Sequence, residues 1–100
     1  MRLIIRREAE ADIAEAFHWY ERKREGLGDE FLEEVSKAIN ALHVEPLRFA
    51  EVFRYLRRAN VHRFPYGVFF VIRDTVVVVV AVFHFGRSPR RLKTRAQRKL

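Results

Sequence analysis

The sequence predicts an α+β domain in which a helical hairpin packs on one face of a mainly antiparallel four-stranded sheet. Two consecutive segments share the apolar spacing of an amphipathic helix, and a Gly-Leu-Gly link at 26–28 separates them. After Pro46 the composition turns to β-branched and aromatic residues, which favour strands. These observations give the order β1-α1-α2-β2-β3-β4. The 100 residues provide one small core, and 49% of them are hydrophobic, which is enough to fill it.

The first half of the chain contains one short strand and both helices. The apolar run Leu3–Ile5 is interpreted as a strand, and the helical spacing begins after Glu8. In each helix the apolar residues recur at offsets of 0, 4, 7, 8 and 11, so they form one stripe. The two stripes are Ala9, Ile13, Ala16, Phe17 and Tyr20, and Phe31, Val35, Ala38, Ile39 and Leu42. Asp29 is the predicted N-cap of the second helix, and Pro46 ends that helix.

Three strands are predicted in the second half of the chain, at Val52–Arg57, Phe64–Arg73 and Val76–Phe85, with Asp74 and Thr75 as the turn between the last two. In the last strand we expect the even-numbered valines on one face and the odd-numbered apolar residues on the other, so both faces are apolar. Two helices cover only one face of a sheet. The second face therefore needs the chain's own tail, another copy or a partner, and we favour a partner.

The formal net charge of +7 is unevenly distributed along the chain. Residues 1–50 carry 8 basic and 11 acidic side chains, a balance of −3, whereas residues 51–100 carry 12 and 2, a balance of +10. From Arg87 onward seven basic residues occur without an acid or a clear period, so we interpret 87–100 as a basic tail belonging to the same domain as 1–86. This asymmetry predicts an anionic partner, either nucleic acid or an acidic protein segment.

The composition also restricts the chemistry that is expected. The absence of cysteine rules out disulfides, thiol nucleophiles and cysteine metal sites, and it fits a reducing cytoplasm. The longest apolar run, Val76–Phe83, is far shorter than the roughly 20 residues of a membrane-spanning helix, so we expect no membrane association. His62 and His84 lack the spacing typical of metal ligands, and no glycine-rich phosphate loop occurs. We therefore expect neither a metal nor a cofactor.

Several short motifs, in their order along nearly the whole chain, resemble the RelE/ParE family of toxins. They are Glu8-Ala-Glu-Ala-Asp-Ile, Gly26-Leu-Gly-Asp-Glu-Phe-Leu, Pro46 before the sheet, Val61-His-Arg-Phe-Pro-Tyr, the valine-rich strand ending in Phe83-His84, and Arg87-Ser-Pro-Arg-Arg. The last three of these resemble the ParE side of the family more than the RelE side.

The resemblance implies the toxin of a type II toxin-antitoxin module of the plasmid-stabilisation type, which a cognate antitoxin neutralises by wrapping it. It allows a homodimer or a heterotetramer with the antitoxin. ParE-like members inhibit DNA gyrase by binding, whereas RelE-like members are mRNA interferases, endoribonucleases that cut mRNA on the ribosome. The tyrosines lie at positions 20, 55 and 66, so none occupies the late position where RelE-like enzymes often carry one. We therefore favour the ParE-like function and keep the ribonuclease as the alternative.

A ribonuclease of this kind requires a base, an acid and cations around the reacting phosphate. The candidate catalytic set is Glu51, Arg63, His84 and Arg87. His84 serves either proton-transfer role, with Glu51 as its companion and the two arginines as phosphate ligands. In the alternative interpretation His84 is a strand-end residue bonded to the backbone, Glu51 is solvated, and the arginines pair with helix acids.

A second set of basic residues is expected to bind the target or the antitoxin. The set comprises Arg54, Arg57, Arg58, Arg90, Arg91, Lys93 and Arg95. Its first three members lie on the predicted second strand and its turn, where charges also deter aggregation between strand edges. Its last four members lie in the basic tail, where like charges repel one another unless a partner is present. A non-toxic basic nucleic-acid-binding module is the further alternative, and its affinity would fall steeply with salt.

Overall fold

The computed structural model describes residues 1–87 and 89–97. In chain order its elements are β1 (Arg2–Ile5), α1 (Arg7–Lys23), α2 (Leu27–Val44), a 3-10 helix (Pro46–Arg48), β2 (Glu51–Phe53), β3 (Leu56–Asn60), β4 (Tyr66–Arg73), β5 (Val76–His84) and α3 (Pro89–Gln97). The described strands form one sheet in the order β1-β5-β4-β3-β2, with β1 parallel to β5 and the other pairs antiparallel. The predicted α+β class is therefore confirmed, with five strands rather than four.

Two glycines and the side chain of Glu21 shape the link between α1 and α2. Gly26 has a left-handed φ of 88°, which glycine adopts without strain. The Glu21 carboxylate accepts hydrogen bonds from the backbone N–H groups of Gly26 and Gly28 at 3.0 and 2.9 Å. A Cβ at Gly28 would lie 2.7 Å from the Phe17 ring, so glycine permits the close approach of the helices. The prediction that Asp29 is the N-cap is wrong, because α2 begins before it and Glu21 satisfies the first N–H groups.

The first face of the sheet, which α1 and α2 cover, holds the larger core. Both predicted apolar stripes supply buried residues to this core, where they pack on alternate residues of β4 and β5. An aromatic group joins the helices to the strands: Tyr20, Phe31, Phe64 and Tyr66 lie with ring centroids 4.9 to 6.1 Å apart. Most of these ring pairs have the edge-to-face geometry that aromatic side chains prefer.

The predicted single strand Val52–Arg57 is wrong, because this segment forms two short strands joined as a hairpin. Strands β2 and β3 pair antiparallel, with Phe53 opposite Leu56. The turn between them contains Arg54, whose φ of 53° is left-handed. A residue other than glycine or asparagine rarely adopts this conformation, so the sequence carries no signal for the turn.

The other strand boundaries differ from the prediction by one or two residues. The strand predicted at Phe64–Arg73 begins at Tyr66, because Arg63 has a left-handed φ of 73° and a turn precedes the strand. The backbone N–H of Val61 donates to the carbonyl of Tyr66 at 2.9 Å and closes this turn. The predicted turn at residues 74–75 is confirmed.

A β-bulge in β5 changes which side chains face each side of the sheet. Phe69 pairs with Ala81, but Phe70 pairs with Val79, so Val80 is an extra residue in the ladder. The first-face core contains Val77, Val79 and Val82, whereas the second-face cluster contains Val78, Val80, Ala81 and Phe83. The predicted separation of even-numbered from odd-numbered residues is therefore wrong beyond the bulge, where the alternation is shifted by one residue.

The second face of the sheet carries its own apolar cluster, and the chain's C-terminal segment covers part of it. The buried members of this cluster are Leu56, Phe69, Val71, Val78, Val80, Ala81 and Phe83. Helix α3 lies against β5 and packs Leu92 on the cluster.

The basic tail predicted at 87–100 is thus helical over Pro89–Gln97. This segment lacks the apolar periodicity that indicates a helix, because basic residues surround Leu92. Ser88 and residues 98–100 of the predicted tail lie outside the described residues. None of the helices in the described part of the chain combines the length and the apolar character needed to span a bilayer.

Candidate functional site

A pair of charged side chains fastens α3 to the edge of the sheet. Strand β1 pairs with β5 as far as Val79. Beyond that residue, backbone groups of β5 bond to the side chains of Asp12 in α1 and Arg95 in α3 instead of to a strand. The Asp12 carboxylate accepts a hydrogen bond from the N–H of Val82 at 3.0 Å, and Arg95 donates to the carbonyl of Val80 at 2.8 Å.

The same two side chains bind each other through two hydrogen bonds of 2.9 and 3.0 Å. Their side chains are only 8% and 15% exposed, so solvent weakens the pair little. We call this arrangement the edge clamp, formed by Asp12 and Arg95. It satisfies backbone groups that no strand pairs, and it fixes the position of α3.

A groove of about 480 Å³ opens between α3 and the β2–β3 hairpin on the second face. The floor consists of Phe69 and Phe83, and the rim carries Arg58, Arg87 and Lys93. Among the described residues that line this groove, none is acidic. We call it the cationic groove.

Each cation of the groove lies over an aromatic ring. The Arg58 guanidinium is 5.3 Å from the Phe85 centroid, Arg87 is 4.6 Å from Phe83, and the Lys93 ammonium is 5.6 Å from Phe53. These cation–π contacts hold the charges in place. Among the described residues Arg58 and Lys93 form no ion pair, whereas Arg87 binds Glu15 at 3.3 Å.

Gly67 makes the position of Arg58 possible. A Cβ at Gly67 would lie 2.8 Å from the Arg58 Cδ atom, so the arginine stem crosses the sheet where β4 has no side chain. The guanidinium then reaches Phe85 at the end of β5. Gly67, the second residue of β4, therefore leaves room for an arginine side chain that lines the groove.

A second cleft, of about 390 Å³, lies between α1 and the start of β4. It contains Glu15, Trp19, Tyr66 and His84, and we call it the aromatic cleft. The His84 Nδ1 atom accepts a hydrogen bond from the Gly86 N–H at 2.8 Å, so in the neutral ring the proton is on Nε2. The imidazole stands edge-on to Tyr66 with ring centroids 5.3 Å apart.

Two tyrosine hydroxyls near this cleft keep their protons at neutral pH. Burial raises the pKa of Tyr66, while the neighbouring Arg87 lowers this pKa and Glu15 raises it. Burial, followed by the proximity of Tyr66, also raises the pKa of Tyr20. A raised pKa keeps both hydroxyls protonated, so neither is suited to act as a general base at neutral pH.

The structure does not bring the four predicted catalytic residues into one site. His84 and Arg87 lie together at the end of β5, and Arg87 binds Glu15 at 3.3 Å. Arg63 instead binds Glu30 of α2 at 2.9 Å. Glu51 is exposed on the edge strand β2, three strand spacings from β5, which is roughly 14 Å. A catalytic role for these residues stays a prediction.

The predicted binding residues divide into two groups. Arg57 donates to the carbonyl of Phe49 at 2.6 Å, and Arg95 belongs to the edge clamp, so both guanidinium groups have structural partners. The other five members, Arg54, Arg58, Arg90, Arg91 and Lys93, are exposed. Contact with a target or an antitoxin stays a prediction for all seven.

Sequence reasoning missed Asp12, Glu15 and Tyr66 as residues of functional interest. Asp12 offered a signal, because it lies between Ala9 and Ala16 on the apolar stripe of α1, where a solvated acid is not expected. Its partner Arg95 is 83 residues away, so no local spacing connects them. Glu15 and Tyr66 offered no comparable signal.

The fold and its basic surface define a class of small α+β domains, in which a helical hairpin and a charged C-terminal segment cover opposite faces of a mixed sheet. Residues 3–89 match the sequence model of one family, described as "ParE toxin of type II toxin-antitoxin system, parDE". The chain therefore belongs to the ParE toxin family of type II toxin-antitoxin systems, as the sequence motifs predict. This membership implies an antitoxin partner.

A solved structure supports the fold. The "Chromosomal ParDE TA system from P. aeruginosa" superposes with a TM-score of 0.76 over 84% of this chain and 95% of that chain, at 15% sequence identity. A comparison with curated protein sequences gives no significant match.

Proposed function

We propose that this protein inhibits DNA gyrase by binding, within a plasmid-stabilisation type of toxin-antitoxin module, and that its cognate antitoxin neutralises it in the cytoplasm. One observation carries the proposal. The fold separates Glu51 and Arg63 from His84, but it gathers Arg58, Arg87 and Lys93 around one groove. This arrangement favours recognition of an anionic partner over acid-base cleavage.

The chemistry of these cations suits a binding inhibitor. Arginine presents a planar fork of N–H groups that binds carboxylate or phosphate through two hydrogen bonds. The exposed arginines of α3 extend the same charge beyond the groove. A basic surface of this size also accelerates association with an acidic partner at low salt.

The experiment is a supercoiling assay with purified gyrase, relaxed plasmid and the purified toxin. We expect inhibition that weakens at least tenfold when Arg91 and Lys93 are both replaced by glutamine, because charge-assisted contacts are lost. Arg48→Gln, an exposed arginine outside both candidate sites, is the control. Full gyrase activity at a large molar excess of folded toxin overturns the proposal.

The mRNA interferase alternative is supported by the aromatic cleft, which places His84, Tyr66 and Glu15 beside Arg87. If the protein cleaves RNA, His84→Gln lowers the rate by about a hundredfold to ten-thousandfold, as expected for loss of a general acid or base. Mapping of mRNA 5′ ends on translating ribosomes, with gyrase activity measured in the same extract, distinguishes the two functions. New mRNA cuts with unaffected supercoiling support the ribonuclease.

A further inference from the structure

We infer that the aromatic cleft binds one nucleotide unit, either free or within a strand, with the base against Trp19 and the phosphate on the cations beside that ring. The inference goes beyond the proposed function, because it concerns a different part of the molecule and holds whether or not gyrase is inhibited. Three properties of the cleft support it: its free hydrogen-bond donors, its charge and its exposed aromatic surface.

The cleft has two walls that the fold holds in place. On α1, Glu15, Trp19 and Arg22 follow one another at spacings of four and three residues, so their side chains lie in one row. On the opposite wall, Tyr66 and His84 are direct neighbours in the sheet. The space between the walls is about 390 Å³, a size typical of small-molecule sites.

Several donors of the cleft have no acceptor within residues 1–87 and 89–97. The Tyr66 hydroxyl, the Trp19 indole N–H and the Arg22 guanidinium form no hydrogen bond there. The Nδ1 atom of His84 accepts from the Gly86 N–H at 2.8 Å, so the Nε2 atom carries a further free N–H. Burial raises the pKa of Tyr66, and its hydroxyl keeps its proton at neutral pH. A concave surface with this set of donors matches a ligand that is rich in acceptors.

The charge around the cleft favours an anion. Glu15 is the one acid among its described lining residues, and Arg87 binds this carboxylate at 3.3 Å. Arg22 and Lys23 add two positive charges on the Trp19 side, and neither forms an ion pair within the part of the chain that the structure describes. A phosphate supplies the missing negative charge and accepts hydrogen bonds from an arginine fork.

The exposed aromatic surface of the cleft favours a flat group next to that phosphate. Trp19 is 46% exposed, although the Lys23 ammonium lies 4.7 Å from its ring centroid. The cationic groove differs, because Phe83 there is only 3% exposed and Arg87 and Arg95 lie over its ring. Bases stack on exposed aromatic rings, whereas inorganic phosphate would leave the indole in water. A base joined to a phosphate therefore fits the cleft better than phosphate alone.

The test is an NMR titration of the full chain with adenosine 5′-monophosphate. Trp19 is the only tryptophan of the chain, so its indole N–H gives a single signal that reports on the cleft. We expect this signal and the amides of Tyr66 and His84 to shift saturably. Adenosine should bind about tenfold more weakly, because it lacks the charge-assisted contacts, and inorganic phosphate should leave the indole signal in place.

A strand of the same base distinguishes the two sources of the nucleotide. The probe is the pentamer of deoxyadenylate, which has no 2′-OH and is therefore not cut by 2′-OH attack. Shifts of the Trp19 indole by either ligand support the inference. Tighter binding of the monophosphate identifies a free nucleotide as the ligand, and tighter binding of the pentamer identifies a strand.

Matched variants localise the phosphate and the base. We expect Arg22→Gln to weaken binding of the monophosphate about threefold to tenfold but to leave adenosine binding unchanged, because the lost contact is to the phosphate. Glu15→Gln should tighten binding of the monophosphate about twofold, because a nearby negative charge is removed. Tyr66→Phe should weaken binding about threefold through loss of one donor. The controls are Arg48→Gln and Tyr55→Phe, at exposed positions outside the cleft.

Three results would overturn the inference: no shift of the Trp19 indole at millimolar monophosphate, equal affinity for adenosine and its monophosphate, or equal weakening of both ligands by Arg22→Gln. A preserved spectrum shows that each variant is folded. Failure of the proposed function has a different signature, because the supercoiling assay then shows active gyrase while the nucleotide titration is unchanged.

Discussion

The two faces of the sheet are covered in different ways. Helices of 17 and 18 residues cover the first face and contribute matching apolar stripes. A helix of 9 residues covers part of the second face, and it contributes Leu92 together with guanidinium contacts to Phe83 and the edge clamp. The helices on the first face are held by apolar burial, whereas charged groups supply much of the contact between α3 and the second face.

This difference separates stability from recognition. Apolar burial is not screened by salt as charged contacts are, and the helices cover the apolar surface of the first face, so this face serves folding. Charged contacts on the second face depend on geometry and ionic strength, and they leave cations exposed beside an apolar groove. Substitutions that act on one face should therefore produce effects of different size and kind from those on the other.

The largest effect is expected on the first face. Phe31 is fully buried among Tyr20, Phe64 and Tyr66, so Phe31→Ala should lower the free energy of unfolding by about 3 to 5 kcal/mol. Urea denaturation followed by circular dichroism measures this loss. Tyr55→Ala, at an exposed position in the β2–β3 turn, is the control and should change stability by less than about 0.5 kcal/mol. If Phe31→Ala lowers the free energy of unfolding by less than a second-face substitution does, the proposed difference between the two faces is contradicted.

A smaller effect is expected at the edge clamp. Asp12→Asn keeps an acceptor for the Val82 N–H but removes the charge that binds Arg95, and it should cost about 2 kcal/mol. Hydrogen exchange followed by mass spectrometry should show faster exchange over α3, with α2 little changed. Glu10→Gln, an exposed substitution on the same helix, should leave both regions as they are. Unchanged exchange over α3 in the Asp12→Asn variant would show that other contacts hold this helix.

The apolar contact of α3 is expected to contribute less again. Leu92 is only partly buried, so Leu92→Ala should cost about 1 kcal/mol, below the 2 to 5 kcal/mol typical of a buried leucine. Thermal unfolding measures the change, with Leu47→Ala at a position 71% exposed as the control. If Leu92→Ala destabilises the protein as much as Phe31→Ala does, then the two faces are held by the same kind of force.

The smallest effect concerns an ion pair at the rim of the first face. Hydrogen bonds from Arg63 and Arg24 hold the pKa of Glu30 below its ordinary value of 4.5. A lowered carboxyl pKa stabilises the folded state above the ordinary value, and this contribution is lost as pH falls through the folded-state pKa. Glu30→Gln should therefore melt slightly below the unsubstituted protein at pH 6, and the difference should vanish well below pH 4.

The control for this pH dependence is Glu45→Gln, at an exposed position after α2. It should give a melting curve that stays close to that of the unsubstituted protein at pH 6. If the difference between Glu30→Gln and the unsubstituted protein does not shrink as the pH falls below 4.5, the electrostatic explanation is contradicted, because protonation of Glu30 removes the charge that Arg24 and Arg63 bind.

The sequence predicts local features of this protein better than distant ones. The two apolar stripes and the turn at 74–75 follow from short-range spacing, and the family follows from motifs in their order. The turn at Arg54 and the bulge at Val80 could not be predicted, because neither position carries glycine or another turn residue.

The candidate site was harder to predict than the fold. The cationic groove combines β2, β3, β5 and α3, and the edge clamp joins residues at opposite ends of the chain. Composition indicated which half of the sequence is basic, but only the packing of α3 shows that Arg95 is engaged while Arg58 and Lys93 face the groove. Charge counting cannot separate a structural arginine from one that is available to a ligand.

The edge clamp has a consequence for solubility. Strand β5 is a run of β-branched valines, the kind of segment that readily pairs with another copy when its edge is open. Strand β1 shields this edge only as far as Val79, and the charged side chains of Asp12 and Arg95 occupy the positions where a foreign strand would bond to Val80 and Val82. Beyond Val79 the edge clamp thus occupies backbone groups of β5 that a strand from another copy would need in order to pair.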